Sequence, residues 1–360
     1  MKVLCLMILA DKLSYRIENA AYLAAFLCLI LLSGCSSGPE ADRLSGRTMG
    51  TSWSVVIANR TSDHDKVRLQ SGIEAELLEV NRQMSTYDPV SEISQFNASK
   101  VLDTWFPVSK LFAATTANAL RFAHISKGAF DPTVAPLVNI WGFGPEAIKA
   151  DLPSDEEVAE AKAMVGFQSI AVRPPEANGG PALKKSAFRN LDLSAIAKGL
   201  GVDQVYKLID RLGYTDFLVE IGGEIRVKGD KNGLGWKIAV EQPNKIDSQV
   251  QTTLYLSDVA LATSGDYRNY REIDGIAYSH TIDPSSGYPV THDLASVTVV
   301  DEECVLADAW ATTLLVLGLT EGYAMAVRQG LSAMFITRTT EGFLVRYTPR
   351  FERLLTGMTK

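Results

Sequence analysis

An acid and a hydroxyl stand four residues apart in the apolar segment ADAWATTLLVLG, at Asp308 and Thr312. In an α-helix this spacing stacks the two side chains on one face, and carboxylate and hydroxyl oxygens suit a hard cation such as Mg²⁺. The alternative is a threonine that bonds back to its own helix and an acid that faces water. Because the neighbouring residues are apolar and a buried lone carboxylate is costly, the sequence favours the metal site.

The segment LDLSAIAKGLGVD, residues 191–203, combines an acid, a hydroxyl, a lysine and two glycines. It has neither the GxxxxGK[ST] spacing of a P-loop nor the GxGxxG spacing of a dinucleotide fold. It predicts a strand that ends at Leu193 and a helix capped by Ser194, with Lys198 one turn further along. A helix N-terminus beside a lysine attracts phosphate, and Asp192 could bind a nucleotide or help place a cation. An ordinary capped helix with a solvated lysine explains the residues equally well.

The turn SHTIDPSSGYPV carries His280 just ahead of Asp283. Histidine is suited to accept a proton at neutral pH, so His280 is a candidate general base, although a lone histidine is more often structural. Two aromatic residues in loop segments, Tyr87 and Phe130, could stack on a flat ring or belong to the core. The sequence has no HExxH, CxxC, GxSxG or Walker motif, so zinc hydrolase, redox dithiol and serine hydrolase chemistries lack support.

The elements that must position these residues follow from hydrophobic periodicity. Helical spacing predicts helices over the segments 65–85, 110–126, 151–166, 194–212 and 304–318, and loop-like structure over the Gly- and Pro-rich segment 128–144. Alternating apolar residues predict strands at 47–58, through much of 216–301, and in a closing hairpin over 332–348. Strands in runs beside separate helices indicate an α+β fold, and no repeat or linker divides the chain.

The N-terminus predicts an exported lipoprotein. Residues 1–34 resemble a secretory signal with a short apolar run, and the sequence LSGC places Cys35 where a bacterial lipoprotein is cleaved and acylated. We therefore expect a signal peptide at 1–34, a flexible tether at 35–45 and a folded domain at 46–360, held on the periplasmic side of the inner or outer membrane. Cys5 and Cys28 leave with the signal, so Cys304 has no partner for an intrachain disulfide.

The composition fits a folded domain with an acidic surface. Of 360 residues, 46% are apolar and 21% charged, which is enough to bury a substantial core. The net charge is −7, and removal of three basic and two acidic residues with the signal makes it −8. This balance argues against a general nucleic-acid binder.

Eight motifs in order together resemble the ApbE family of flavin transferases. They are MGT, STYDPVSEISQFN, GAFDPTVAPLVNIWGFG, LDLSAIAKGLGVD, IGGEIRVKG, ATSGDYRNY, SHTIDPSSGYPV and ADAWATTLLVLG, and the resemblance spans about residues 47–318. The sequence departs from the resemblance at Ser194 and Ala195, where many members carry two glycines, and at Leu200, where an aromatic residue is common. No single motif would justify the assignment.

The resemblance implies an α+β fold related to the T-fold, with mixed or antiparallel sheets and packed helices, and a reaction that uses FAD and Mg²⁺. It implies that His280, or Asp283 beside it, acts as the base. It implies Mg²⁺ ligands at the carbonyl of Ala195, at Asp308 and Thr312, and at the carbonyl of Ala311. The positions it implies for FAD contact are Met49, Tyr87, Ala129, Phe130, Asp131, Asp192, Lys198 and Ile282.

Members of the family attach FMN from FAD to a threonine of a target protein, typically a subunit of the sodium-translocating NADH:quinone reductase or of an Rnf-type complex. The acceptor motif SGAT or TGAT is absent from this sequence, so self-flavinylation is not expected. Two alternatives remain open at this point. Water in place of threonine would split FAD into FMN and AMP, and a flavin-binding lipoprotein without catalysis would need the stacking residues but not the Asp308 and Thr312 pair.

Overall fold

Helices and strands alternate along the chain in runs. The structure, a computed structural model, describes residues 41–356 except 60, 147–150, 232, 245–248, 268 and 274. Within these residues the helices are α1 (Asp63–Met84), α2 (Glu92–Ala98), α3 (Lys110–Ile125), α4 (Ala135–Ile140), α5 (Asp155–Ala163), α6 (Ser194–Arg211), α7 (Cys304–Arg328) and α8 (Pro349–Leu355). The strands are β1 (Asp42–Thr48), β2 (Thr51–Ile57), β3 (Phe106–Pro107), β4 (Ile170–Arg173), β5 (Ala182–Lys185), β6 (Phe217–Ile221), β7 (Glu224–Lys228), β8 (Trp236–Glu241), β9 (Val250–Leu256), β10 (Ala260–Gly265), β11 (Tyr270–Ile273), β12 (Ile276–Ser279), β13 (Leu294–Asp301), β14 (Ser332–Thr339) and β15 (Gly342–Tyr347).

An antiparallel sheet forms the centre of the described part, with strand order β1-β2-β6-β7-β10-β13-β14-β15. Side chains alternate across it, so Val55 lies in the core under the helices while Val56 lies in the core on the opposite face. The helix face carries α1, α3, α6 and α7, and the other face is covered by the β8–β9 hairpin and α8. Because both faces are covered, a central strand such as β13 is buried at every residue but its last.

Helices α6 and α7 cross closely over the sheet. A Cβ on Gly199 would lie 2.4 Å from the carbonyl oxygen of Cys304 and 2.8 Å from the Cβ of Asp308. The glycine is therefore explained by helix packing rather than by a phosphate loop. Most of α7 is buried, and although it is long and apolar enough to cross a membrane, its apolar residues serve this core.

The α+β class predicted from the sequence is confirmed, and the strand pairings of the described residues are antiparallel rather than mixed. Three details differ from prediction. The segment predicted as one strand at 47–58 is a hairpin, helix α7 continues beyond a break at Gly318 (φ 70°), and α4 lies within the segment predicted as loop. Helix α2 and the β11–β12 hairpin were not predicted.

The structure describes only the end of the N-terminal region for which a signal peptide and a tether were predicted. Residues 1–34 and Cys35 lie outside the described residues, whereas β1 begins at Asp42 and so replaces the last residues of the expected tether at 35–45. Asp42 is held there because its carboxylate pairs with Lys66 of α1 at 2.7 Å and accepts the hydroxyl of Thr61 at 2.8 Å. Cys304 is a buried free thiol.

Candidate active site

A cavity of about 1030 Å³ opens where the ends of several elements meet. Its walls come from the β1–β2 turn, the loops before α2 and α4, the start of α6, the β6–β7 turn, the end of β10, the β11–β12 hairpin and α7. Ligand pockets commonly measure about 300–1,000 Å³, so this one has room for a dinucleotide.

The cavity brings together most of the residues predicted from the sequence. Twelve of them line it: Met49, Tyr87, Ala129, Phe130, Asp131, Asp192, Ala195, Lys198, His280, Ile282, Asp308 and Thr312. Two do not, since Ala311 is fully buried in the core and Asp283 lies in the turn that follows the cavity wall. The carboxylate of Asp283 accepts both the N–H and the hydroxyl of Ser285, at 2.8 and 2.9 Å. The geometry therefore favours His280 over Asp283 as the base.

The cation-binding corner predicted on α7 has the expected oxygen atoms. Asp308 is buried and its Oδ2 accepts the backbone N–H of Gly199 at 2.9 Å. The hydroxyl of Thr312 shares a hydrogen bond of 3.0 Å with Ser264 at the end of β10, a partner the sequence did not reveal. In an α-helix the N–H of Gly199 would point at the carbonyl of Ala195, and here it is donated to Asp308. Ala195, whose carbonyl the family resemblance implies as a third oxygen, lies in the same first turn and lines the cavity with Asp308 and Thr312.

These donors fit a hard cation better than a transition metal. No group of three or more His, Cys, Asp or Glu side chains with metal-binding geometry occurs among the described residues. One carboxylate, one hydroxyl and one carbonyl suit Mg²⁺, which normally keeps several waters and takes oxygens from substrate phosphate. Burial raises the pKa of Asp308, while the Lys198 ammonium and the Gly199 N–H oppose that shift.

Lys198 is ion-paired, and its side chain is partly exposed in the cavity. Its Nζ lies 2.6 Å from Oε1 of Glu224, which is only 1% exposed and stands behind the cavity wall at the start of β7. Burial lowers the pKa of Lys198, but the carboxylates of Glu224 and Asp308 outweigh that and raise it. Sequence reasoning treated the motif containing Glu224 only as a glycine turn, because nothing in the local pattern shows that β7 faces α6.

The start of α6 corrects the predicted cap. The hydroxyl of Ser194 makes no capping bond, and Oδ1 of Asp192 instead accepts the N–H of Ser194 at 2.8 Å. The N–H of Asp192 is donated to the carbonyl of Pro132 at 2.8 Å, which ties this helix start to the loop before α4. In the first turn of α6, the N–H groups of Ile196 and Ala197 are donated to the carbonyl of Leu193. The positive end of the helix dipole lies beside the cavity, which Ser194, Ala195 and Lys198 line.

His280 lines the cavity with one ring nitrogen already fixed. Its Nδ1 lies 3.0 Å from the carbonyl of Asn269, and since a carbonyl only accepts, Nδ1 carries the proton. The neutral ring therefore presents the lone pair of Nε2. Burial lowers the pKa of His280, and the hydrogen bond to Asn269 opposes this.

The two aromatic candidates separate clearly. Tyr87 is 66% exposed at the cavity, and its hydroxyl donates to the carbonyl of Phe143 at 3.0 Å. Phe130 is buried and packs against Phe122, with 5.8 Å between the ring centroids. Tyr87 is thus available to stack on a flat ring.

The loop residue Asp131 is engaged within the protein. Its carboxylate accepts the N–H and hydroxyl of Thr133, at 2.8 and 2.6 Å, and the N–H of Phe167 at 3.2 Å. Burial raises its pKa, and these hydrogen bonds oppose the shift. The loop therefore offers a ligand chiefly its backbone.

Met49 reaches the cavity from a strained turn. Met49 and Gly50 link β1 and β2 with φ values of 48° and 71°, as a two-residue hairpin turn of type I′ requires. A left-handed φ is unfavourable for methionine and is typical of functional sites when the surrounding structure enforces it.

Comparison with known proteins gives one consistent answer. A model of the ApbE family matches residues 49–335. The chain is 42% identical over 323 residues to an FAD:protein FMN transferase of Vibrio cholerae, covering 89% of this chain and 95% of that protein. It is 38% identical to the FAD:protein FMN transferase of Haemophilus influenzae, covering 90% and 94%. Among solved structures it resembles the flavin transferase ApbE of Vibrio cholerae, with TM-score 0.79, 39% identity and coverage of 88% and 100%.

Proposed function

The chain belongs to the ApbE family and is an FAD:protein FMN transferase, and from this we propose a Mg²⁺-dependent transfer of FMN from FAD to a threonine hydroxyl, with release of AMP. One observation carries the proposal. The oxygens of Asp308 and Thr312, the ammonium of Lys198 and the ring of His280 all line a single cavity. A pyrophosphate placed among them would meet positive charge on one side and a base on the other.

The phosphate end of the cavity would be formed by α6 and α7. The first turn of α6 and the Lys198 ammonium would bind the pyrophosphate oxygens. Asp308, Thr312 and the Ala195 carbonyl would hold Mg²⁺, which when bound neutralises charge on a phosphoryl group in transfer. These groups lie on α6 and α7, two helices whose close crossing depends on Gly199. They would therefore need little rearrangement when the substrate binds.

His280 would take the proton of the attacking threonine. The threonine oxygen forms a bond to the FMN phosphorus, and the bond from that phosphorus to the bridging oxygen breaks, so AMP departs with the bonding electrons. Nε2 is the free acceptor because Nδ1 is bound to the carbonyl of Asn269. Tyr87, exposed at the cavity, would stack on the flavin.

The test uses the purified mature protein with FAD, Mg²⁺ and an acceptor domain that contains a threonine. We expect a fluorescent flavin band on the acceptor after denaturing electrophoresis and an equal amount of AMP. EDTA and the Asp308→Ala variant should each abolish the band, and the variant should still be folded by circular dichroism. If Asp308→Ala transfers FMN at the normal rate, the proposed metal site is wrong. AMP without a labelled acceptor would indicate FAD hydrolysis instead.

We further propose that Cys35 is acylated and anchors the enzyme on the periplasmic side of a bacterial membrane. The basis is the LSGC sequence that follows an apolar run. Cys35→Ser, expressed behind an exchanged signal peptide whose cleavage does not need the cysteine, should move the protein from the membrane fraction to the soluble fraction without loss of transferase activity. If the variant remains in washed membranes, the anchor lies elsewhere.

The acceptor is proposed to be a subunit of the sodium-translocating NADH:quinone reductase or of an Rnf-type complex, as the family resemblance implies. Incubation of the enzyme with FAD, Mg²⁺ and a membrane extract should label a band that is absent without enzyme. Mass spectrometry of that band identifies the modified residue, and a site other than threonine would contradict the proposal.

A further inference from the structure

Glu224 is a buried carboxylate that the proposed reaction does not use. It lies behind the cavity wall, is only 1% exposed, and contacts the cavity through Lys198, whose Nζ is 2.6 Å from its Oε1. Its second oxygen, Oε2, is buried without a hydrogen-bond partner among the described residues. A buried carboxylate with one oxygen left without a hydrogen bond destabilises the fold, so a function that offsets this cost is expected.

Glu224 and Asp308 both interact with the same ammonium. Both carboxylates interact electrostatically with Lys198 and with each other. Burial raises the pKa of Glu224 and the Asp308 carboxylate adds to the rise, whereas the Lys198 ammonium opposes it and favours the charged carboxylate. Two buried carboxylates therefore interact with one ammonium, and the contact distance of 2.6 Å shows that the ammonium is paired with Glu224.

We propose that Glu224 is a positioning residue that retains the Lys198 ammonium and thereby leaves the Asp308 carboxylate available to a divalent cation. The inference rests on the proposed function, because it concerns the same cation corner. Glu224 itself touches neither substrate nor cation and acts through Lys198.

Lys198 is the mobile member of the three groups. Asp308 is fixed by the backbone N–H of Gly199, at 2.9 Å, and Glu224 begins a strand of the central sheet. A lysine side chain has four rotatable bonds and can swing toward whichever carboxylate remains charged. Without the Glu224 charge, the ammonium would pair with Asp308 and occupy the position of the cation.

The test measures divalent cation binding without catalysis. Mn²⁺, a paramagnetic probe with oxygen-ligand preferences like those of Mg²⁺, is titrated into the purified mature protein without FAD, and free Mn²⁺ is followed by electron paramagnetic resonance. E224Q, which keeps the side-chain shape and removes the charge, should bind Mn²⁺ at least tenfold more weakly. The double variant K198M/E224Q should recover most of the wild-type affinity because the competing ammonium is gone.

A matched control is available on the same two elements. Asp210 of α6 pairs with Lys228 of β7 at the end remote from the cavity. Asp210→Asn removes an ion pair between α6 and β7 as E224Q does, and it should leave Mn²⁺ affinity and the KM for FAD unchanged.

Several results would overturn the inference. Normal Mn²⁺ affinity in folded E224Q, or no recovery in K198M/E224Q, would show that Lys198 does not compete for Asp308. If E224Q fails to fold, K198M alone decides, because it should bind Mn²⁺ at least as tightly as the wild type and weaker binding contradicts the proposal. A wild-type protein that binds no Mn²⁺ overturns the inference together with the metal site. If the wild type transfers FMN and E224Q binds Mn²⁺ with normal affinity, the proposed function stands and only the role of Glu224 is wrong.

Discussion

The backbone N–H of Gly199 donates to Oδ2 of Asp308 at 2.9 Å, across 109 residues of sequence. A main-chain donor holds the carboxylate that the proposed cation needs, and the absence of a side chain at Gly199 permits the approach of α6 to α7. The position of the acid is therefore set by how closely two helices pack.

Gly199→Ala should damage both the packing and the site. The added Cβ would lie 2.4 Å from the Cys304 carbonyl oxygen, which belongs to backbone and cannot turn away. Overpacking of this kind costs about 1–3 kcal/mol, and displacement of Asp308 should reduce FMN transfer at least tenfold. Urea unfolding and the transfer assay measure the two effects.

Gly72→Ala in α1 is the control, since the added Cβ would meet only the two methyl carbons of Leu208, at 3.2 and 3.9 Å. It should keep transfer activity and be equally or slightly more stable, because alanine favours helices by about 1 kcal/mol over glycine. If both alanine variants behave alike, close packing at Gly199 is not the reason for the glycine.

Asp203→Asn should destabilise the start of α7. Asp203 is buried, accepts the N–H groups of Cys304 and Val305 at 3.1 and 2.9 Å, and pairs with Arg226. Loss of its charge leaves Arg226 without compensation, and breaking a buried pair in this way typically costs about 3–5 kcal/mol. Chemical denaturation of Asp203→Asn and of the double variant Asp203→Asn, Arg226→Met is the measurement. The double variant should regain part of the lost free energy of unfolding. A loss well below about 3 kcal/mol in the single variant would show that the charge of Asp203 does not stabilise Arg226.

Two substitutions of Tyr87 should distinguish the contribution of its ring to FAD binding from that of its hydroxyl. The ring is exposed at the cavity, whereas the hydroxyl donates to the backbone carbonyl of Phe143. Tyr87→Phe should bind FAD within about threefold of the wild type, since stacking is retained. Tyr87→Ala should weaken binding by about 1–3 kcal/mol, the usual value of one stacked base. FAD titration by fluorescence quenching tests both, and equal affinities for the two variants would exclude stacking by Tyr87.

The pH dependence of transfer should report His280. Burial lowers its pKa, so the neutral, proton-accepting form persists to more acidic pH than for an ordinary histidine. We expect kcat/KM to fall on the acid side with an apparent pKa below the usual value of about 6.5. His280→Asn should lower kcat by about 10²–10⁴ and remove that limb. An unchanged limb in His280→Asn would assign it to another group.

Local patterns predicted the parts of the fold and site that depend on a single element. The spacing of Asp308 and Thr312 placed both on one face of α7, and the long helices appear at the predicted segments because their apolar residues repeat at helical spacing. The segment around Lys198 also lies where the motif indicated, at the first turns of a helix beside the cavity.

Pairings between distant segments were not accessible to that reasoning. Glu224 follows two glycines and shows no local sign of its contact with Lys198, because that contact depends on β7 packing under α6. Ser194 satisfies the rule for a helix cap, yet Asp192 supplies the acceptor because its own N–H is held by Pro132 from another loop. The short hairpin β11–β12 has little apolar periodicity because most of its residues are exposed or half-buried.

The start of β1 at Asp42 sets a length scale for the proposed anchored enzyme. Cys35 precedes it by seven residues, and a fully extended chain of that length reaches at most about 25 Å. An acylated Cys35 would therefore hold the first strand within that distance of the bilayer. Such an enzyme can act only close to the bilayer surface. An acceptor threonine is then modified only if its own membrane protein holds it at a similar height above the bilayer.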